Sequence, residues 1–418
     1  MRIETLCTGD ELLTGQTLDG NGAFLQTCLL ERLGLRVSRS TVVGDEREEL
    51  VEALQAASLR AQLLVVSGGL GPTVDDLTVA CAAQAAGVPL VFSPEVFQSI
   101  EARAQRLGFH LTEGAKKQAL LPQGARHTLN ALGSAPMVHM HIGRCEVFLL
   151  PGVPREFRAF MEGPLLQHLE AHLPPPSGGG RIFRKLYRLQ CIGLPESLLD
   201  EAMAPIAAAF PEIKLGFRVR FPTVEVKFLC EASGEGALAE LGEGVVGKAR
   251  KALGVVAYGE GEATLAGVVV ELLWGRGETV ALAESCTGGH VAAELTAVGG
   301  ASRCLVGGVV AYTAKAKRIW GGLSEEVLGV QGEVSAETTR LLAQGVRGCL
   351  GTHWGLAVTG YADGGQAGHF FVACAGPGGV LREEKVVWPG ARVDIQRMAA
   401  ARALNMLRLC LLGAPEGA

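Results

Sequence analysis

Glu284-Ser285-Cys286-Thr287-Gly288-Gly289 holds the residue types in this chain best suited to nucleophilic chemistry. An apolar run, Val280 to Ala283, precedes it and a helical pattern follows, so a strand-to-helix turn presents Ser285 at a helix N-terminus. Backbone N–H groups at such a turn can stabilise an oxyanion. A serine is a poor nucleophile until a base takes its proton, and no histidine stands in a comparable motif. Tyr312 and Lys317 follow at the next strand-to-helix junction, Tyr312-Thr313-Ala314-Lys315-Ala316-Lys317. A lysine partly desolvated beside another cation or a tyrosine loses its proton near neutrality and serves as base. Cys286 is the rival nucleophile, or else a packed apolar side chain. The same segment also reads as a Ser/Thr helix cap with solvated lysines. Thr287, Gly288 and Gly289 in the turn, with Thr359-Gly360 at the end of a central-looking strand, are the candidate substrate contacts.

A second chemistry is written in Ser67-Gly68-Gly69-Leu70-Gly71-Pro72-Thr73-Val74-Asp75-Asp76-Leu77-Thr78. It lies between an apolar strand and a helix, where α/β sheets bind ligands. Gly68, Gly69 and Gly71 let the backbone approach a phosphate, Thr73 adds a donor, and amides at the helix start favour an anion. Asp75 and Asp76 are placed to hold a divalent cation bridging phosphate oxygens. Thr8-Gly9-Asp10-Glu11-Leu12-Leu13-x-Gly15, followed by Asn21, also comes after a strand and meets this loop along one sheet edge. There Asp10 or Glu11 acts on a metal or a ligand hydroxyl, or the loop is simply capped. Pro151-Gly152-Val153-Pro154-Arg155-Glu156 is a third turn after a strand, its glycine and prolines structural and Arg155 able to approach a phosphate. His139-x-His141 puts two imidazoles on one face of a strand, but nothing nearby completes a ligand set, so the pair reads as structural.

These turns need elements to carry them. The chain has 418 residues, 48% hydrophobic and 19% charged, which supports about three domains and excludes a disordered class. Its 57 glycines and few aromatics suit an α/β protein with backbone-tight loops. Strand and helix patterns alternate over residues 1–173, and βαβ units of this length imply a mostly parallel sheet. Pro174-Pro175-Pro176-Ser177-Gly178-Gly179-Gly180 reads as a linker. Residues 181–258 read strand–helix–strand–strand–helix–strand, the order of a small ferredoxin-like α+β module. Alternation resumes over 262–412. The predicted fold class is therefore α/β, with two doubly wound three-layer domains joined by the small module.

A net charge of −5, with no basic run beyond Lys315-Ala316-Lys317-Arg318, argues against direct nucleic-acid binding. No apolar stretch reaches the roughly 18 residues of a membrane span, and Met1-Arg2-Ile3-Glu4 reads as a first strand rather than a signal peptide. The eleven cysteines are scattered and never spaced C-x-x-C, which points to reduced thiols in a cytoplasm.

Taken together, Gly-Asp-Glu-Leu-Leu-x-Gly, Gly-Gly-Leu-Gly-Pro-Thr-x-Asp-Asp-x-Thr, Pro-Gly-Val-Pro-x-Glu and Glu-Ser-Cys-Thr-Gly-Gly make nearly the whole chain resemble the bacterial competence/damage-inducible CinA family. The resemblance implies a MoaB/MogA-like, molybdopterin-binding-fold N-terminal domain with metal-dependent ADP-ribose pyrophosphatase activity. It implies a C-terminal domain similar to nicotinamide mononucleotide deamidases, and a homodimer. The nucleotide ligands are then nicotinamide mononucleotide and ADP-ribose. On this resemblance Ser285 is the nucleophile, and Tyr312 with Lys317 activates it, because the family spaces that tyrosine and lysine as here. Asp10, Glu11, Asn21, Asp75 and Asp76 fall on its N-terminal motif positions, with cobalt or magnesium as candidate ions and no cofactor for the C-terminal domain. One departure stands out. The family's Thr-Gly-Ile-Ala-Gly-Pro-x-Gly-Gly and following Lys-Pro-x-Gly become Thr359-Gly360-Tyr361-Ala362-Asp363-Gly364-Gly365-Gln366-Ala367-Gly368, two loop residues and a lysine shorter. That shortening carries an alternative expectation, a catalytically weakened nucleotide or pterin sensor acting through protein partners in competence or recombination.

Overall fold

The computed structural model describes residues 1–111, 113–172, 182–379 and 381–415; the Pro174–Gly180 linker lies outside them. The chain divides into two compact units, Met1–Lys185 with Glu231–Leu238, and Leu186–Cys230 with Ala239–Ala418. No described helix is long and apolar enough to cross a membrane.

In the first unit, β1 (Ile3–Thr8) is followed by α1 (Asp10–Leu13), α2 (Gly20–Leu33), β2 (Val37–Val43), α3 (Arg47–Arg60), β3 (Leu63–Ser67) and α4 (Thr78–Ala86). Next come β4 (Leu90–Phe92), α5 (Pro94–Leu107), α6 (Glu113–Gln118), β5 (Leu120–Pro122), β6 (Arg126–Thr128), β7 (Met137–Ile142) and β8 (Cys145–Leu150). α7 (Pro154–Phe160), one turn of π-helix and α8 (Leu166–His172) close it. The main sheet runs β2-β1-β3-β8-β7-β6. Its β2-β1-β3-β8 portion is parallel, whereas β7 pairs antiparallel with both β8 and β6, the β7–β8 connection being a tight hairpin instead of a crossover. Alternate residues face opposite ways: Leu64, Val66, Val147 and Leu149 join one core with Leu50, Leu54 and Cys81. Leu63, Val65, Phe148 and Leu150 join the other with Leu25, Leu29 and Phe157. A strand buried on both faces is what a three-layer α/β domain requires.

The second sheet comprises β9 (Phe183–Cys191), β10 (Ile213–Arg220), β11 (Thr223–Ala232) and β12 (Ala257–Glu260), with α9 (Glu196–Ala209) after β9 and α10 (Glu235–Leu253) after β11. The spatial order β10-β11-β9-β12 is that of a split βαβ fold. Beyond it lie α11 (Leu265–Arg276), β13 (Val280–Glu284), α12 (His290–Thr296), β14 (Leu305–Val310), α13 (Ala314–Gly321), α14 (Glu325–Gln331) and α15 (Ala336–Leu350). β15 (Trp354–Gly360), β16 (His369–Ala375), β17 (Leu381–Val387) and α16 (Arg392–Leu411) complete the chain. This sheet runs β14-β13-β15-β16-β17, parallel over the first three strands. One face packs large side chains, among them Leu282, Leu356 and Phe370, against α11, α12 and α16. The opposite face is built of Ala281, Ala283, Ala357, Ala373 and Ala375 and meets Leu342, Ala343 and Val346 of α15.

Both parallel portions reverse their strand order at one point, between β1 and β3 and between β13 and β15. The chain leaves such adjacent strands in opposite directions, so a crevice opens beyond their carboxyl ends.

Candidate functional site

Beyond β13 the turn is set by a residue ahead of the serine. Glu284 is buried, and its carboxylate accepts the amides of Gly289 at 3.0 Å, Val291 at 3.1 Å and Ala292 at 2.8 Å. A carboxylate there both satisfies the orphan donors of α12 and opposes the positive end of its dipole. The helix amides expected to stabilise an oxyanion are therefore occupied. The Ser285 amide donates to Val358 O at 3.0 Å and that of Gly288 to Ser285 O at 3.1 Å. The amides of Cys286 and Thr287 bond no oxygen among the described residues and lie against the Cys286 sulfur, whose thiolate form they favour. The first follows directly on the serine, the position of the oxyanion donor in a nucleophile elbow.

Ser285, Cys286, Tyr312, Lys317 and Gly360 wall one cavity of about 580 Å³, together with Glu333, Asp363 and Arg392. α13, capped by the Thr313 hydroxyl, carries Lys317 into it. Lys317 is only 2% exposed, and its Nζ donates to the carbonyl of Glu333 at 2.8 Å, with the Glu333 carboxylate at 3.6 Å. Burial pushes its amine below the usual lysine range, against the pull of Glu333. Lys317 makes no hydrogen bond to Ser285 among the described residues; Nζ is bound to Glu333 instead. Tyr312 is 54% exposed, and its hydroxyl accepts from Arg392 at 2.7 Å, which is also paired with Asp363. Cys286 is buried and its thiol is pushed up to about 12, so it is protonated at neutral pH and a weak nucleophile. A Cβ on Gly360 would come within 2.8 Å of its sulfur. Thr287 and Thr359 are fully buried, Thr359 bonded to Thr339 at 2.7 Å, and neither they nor Gly288 and Gly289 line the cavity.

In the first unit, the loops after β1, β3 and β8 enclose about 400 Å³, walled by Gly68, Gly69, Gly71, Glu11, Asp75 and Asp76 and also by Asp45, Gln118 and Glu156. Gly68 has φ +105°, and a Cβ there would sit 2.6 Å from Thr8 O, so only glycine lets the two loops approach this closely. Asn21 ties the loops, donating to Ser67 Oγ at 2.9 Å and Gly152 O at 2.7 Å. Thr73 serves the loop: its amide and hydroxyl both bond Asp76, at 2.8 and 2.6 Å, and its hydroxyl also bonds Asp75. Asp10 turns to Asp45, the two exchanging carboxylate-to-amide bonds of 3.1 Å, and stays out of the cavity wall. Burial, then the neighbouring carboxylates, raises the Asp45 carboxyl against the hydrogen bond from Asp10. No three loop carboxylates converge on a point among the described residues. Glu11, Asp75 and Asp76 thus fit a largely hydrated hard cation held by one or two carboxylates, not a four-carboxylate cage.

The His139 pair also departs from expectation. Nε2 of His139 and of His168 both bond Glu146 Oε1, at 2.9 and 2.8 Å, so a hairpin residue and a helix residue supply the partners that seemed missing.

Residues 262–411 match the CinA C-terminal domain and residues 4–171 a probable molybdopterin binding domain. A CinA-like protein of Myxococcus xanthus (strain DK1622) is 41% identical over 421 residues, 99% of either chain. The chain belongs to the CinA family. Another CinA-like protein, from Anaeromyxobacter dehalogenans (strain 2CP-1 / ATCC BAA-258), is 41% identical over 98% of this chain and 100% of its own. A solved Thermoplasma acidophilum structure, described as CinA with unknown function, is 34% identical and covers 41% of this chain and 96% of that one, with a TM-score of 0.36.

Sequence reasoning passed over several residues of these CinA cavities. Glu284 lies inside the Glu-Ser-Cys-Thr-Gly-Gly motif but at the end of β13, well ahead of the first residue of α12, and only the tight turn returns its carboxylate to the helix amides. Asp45 and Glu333 carry no local pattern. Arg392 opens the last helix, far along the chain from Tyr312, and only the fold brings the two together.

Proposed function

We propose that the C-terminal domain hydrolyses the carboxamide of nicotinamide mononucleotide to its acid, and that the N-terminal domain cleaves the pyrophosphate of ADP-ribose. The observation that carries the first reading is a buried Lys317, its amine held below the usual lysine range, sharing a cavity with Ser285 at the sheet's switch point.

Lys317 accepts the Ser285 hydroxyl proton as Oγ attacks the carboxamide carbon. The Cys286 and Thr287 amides, which otherwise lie against the Cys286 sulfur, are the donors left in this turn for the oxyanion so formed. Collapse expels the nitrogen as ammonia, with the proton returned from the Lys317 ammonium. Water then attacks the acyl-serine, Lys317 again serving as base, and the acid leaves. Tyr312, its hydroxyl fixed by Arg392, completes the proton path at the cavity mouth. In the first domain the Gly68–Gly71 backbone would cradle the pyrophosphate. A largely hydrated divalent cation held by one or two of Glu11, Asp75 and Asp76 would, when bound, neutralise phosphate charge there.

Ammonia release from nicotinamide mononucleotide, followed in wild type and in Ser285→Ala, tests the amidase reading. The variant should lose at least about 1,000-fold in turnover, in line with loss of a nucleophile; undiminished release would exclude Ser285. A second reading, nucleotide sensing without turnover, is favoured by the short 361–368 connection, closed by Tyr361–His369 and Gly368–Tyr361 backbone bonds of 2.9 and 2.8 Å. Binding of the mononucleotide to wild type with no ammonia formed would select it.

A further inference from the structure

We propose that His139, Glu146 and His168 form a site for a divalent transition-metal ion of the zinc, nickel or copper kind, with a coordination position open to the adjoining cavity. This site is separate from the loop cavity in which pyrophosphate cleavage is proposed. His139 comes from β7, Glu146 from β8 and His168 from α8, so the site joins a hairpin to the helix packed on it. The two Nε2 atoms and a Glu146 carboxylate oxygen lie within 4.8 Å of one another, and these are the only three such side chains that converge among the described residues. Two imidazoles and one carboxylate are a borderline donor set, suited to zinc and its neighbours and poorly suited to magnesium or calcium. Three protein ligands leave the remaining position for water or a ligand.

The rings are already ordered. His139 stacks on Phe148 with centroids 4.3 Å apart and planes 10° from parallel, and His168 stacks on His172 at 4.1 Å and 17°. His139 meets His168 edge-on at 4.9 Å. His172 Nδ1 donates to His168 O at 2.8 Å, which puts the proton of its neutral ring on Nδ1 and a lone pair on Nε2. The cluster borders a cavity of about 470 Å³ that His141, His172 and Arg126 also line, so solvent and small ligands have an approach. Without metal, both Nε2–H groups donate into a single carboxylate oxygen. On binding, each neutral ring shifts its proton to Nδ1 and turns the Nε2 lone pair to the ion, while Glu146 exchanges two hydrogen bonds for one metal bond. No net proton leaves a neutral ring.

The test uses the full chain, stripped with chelator and dialysed, then titrated with Zn²⁺ by calorimetry and with Co²⁺ as a visible-absorption probe. Wild type should take up one equivalent that carries ligand-field bands of nitrogen coordination and persists in Asp76→Asn, apart from any uptake at the loop carboxylates. Loss of a mere outer partner weakens metal sites by ~10–100-fold, so His168→Ala should weaken Zn²⁺ binding by at least ~100-fold. His168→Gln keeps a donor for Glu146; if it unfolds at the wild-type metal-free temperature yet no longer gains stability from Zn²⁺, a metal role and not a hydrogen-bonded clamp is supported. Zn²⁺ binding that survives both His168 variants, or is abolished by Asp76→Asn instead, overturns the proposal, as does no uptake by wild type.

Discussion

Lys317 pays for its place in the cavity. Its amine sits below the usual lysine range because burial disfavours the charged form. Between that lowered value and the ~10.4 of an exposed lysine the unfolded chain binds more protons, so wild-type stability rises with pH across this window. Below it, both states are protonated and the full cost is present. Lys317→Met removes the buried charge at similar volume and should be inactive, more stable than wild type near neutrality, and closer to it as pH climbs. Urea midpoints taken through that range check the sign. Activity should rise with pH as Lys317 loses its proton. Glu333 pulls its value upward, so Glu333→Gln should move the inflection of the pH–rate profile to lower pH, and an unmoved inflection would mean another group is the base. Cys286→Ala should keep activity within a few-fold, since a thiol held near 12 supplies almost no thiolate.

At the level of elements, the turn after β13 depends on Glu284 as an anchor. Glu284→Ala leaves three amide donors of α12 without their charged acceptor, and bonds to charged groups contribute about 1.5–3 kcal/mol each, not additively. A loss of about 3 kcal/mol, read from chemical denaturation, is expected, along with a disordered Ser285 turn and lost turnover. Strand and helix patterns made this architecture legible: Gly34 in the left-handed conformation ends α2, the Ser335 hydroxyl caps α15, and the six-element module has the expected strand and helix order, all local signals. The turn bearing Ser285 was equally readable, because an apolar strand followed by Thr-Gly-Gly has few other conformations. What spacing alone hid were pairings between distant segments. Arg392 reaches Tyr312, and His168 joins His139, only through packing of helices whose sequences announce no partner. Thr73 shows the converse error: a residue with binding chemistry is used up by its own loop's carboxylates.

For the molecule as a whole, two cavities of different chemistry occur in one chain, each at a switch point of its sheet. Chelator separates them. EDTA should abolish AMP formation from ADP-ribose and leave ammonia release from nicotinamide mononucleotide unchanged; equal inhibition of both would contradict a metal-free serine site.

The alanine-lined face of the second sheet has its own consequence. Gly355 in β15 lies so near α15 that an added methyl would run into the Ala343 carbonyl, and the Thr339–Thr359 bond fastens the same helix to the strand that ends at Gly360. A bulkier residue at Gly355 would lift that helix and drag the far end of the strand with it. A disturbance of the Ser285 cavity can therefore originate in a dry layer remote from it, where a single carbon atom acts as a lever on the strand that ends at its wall.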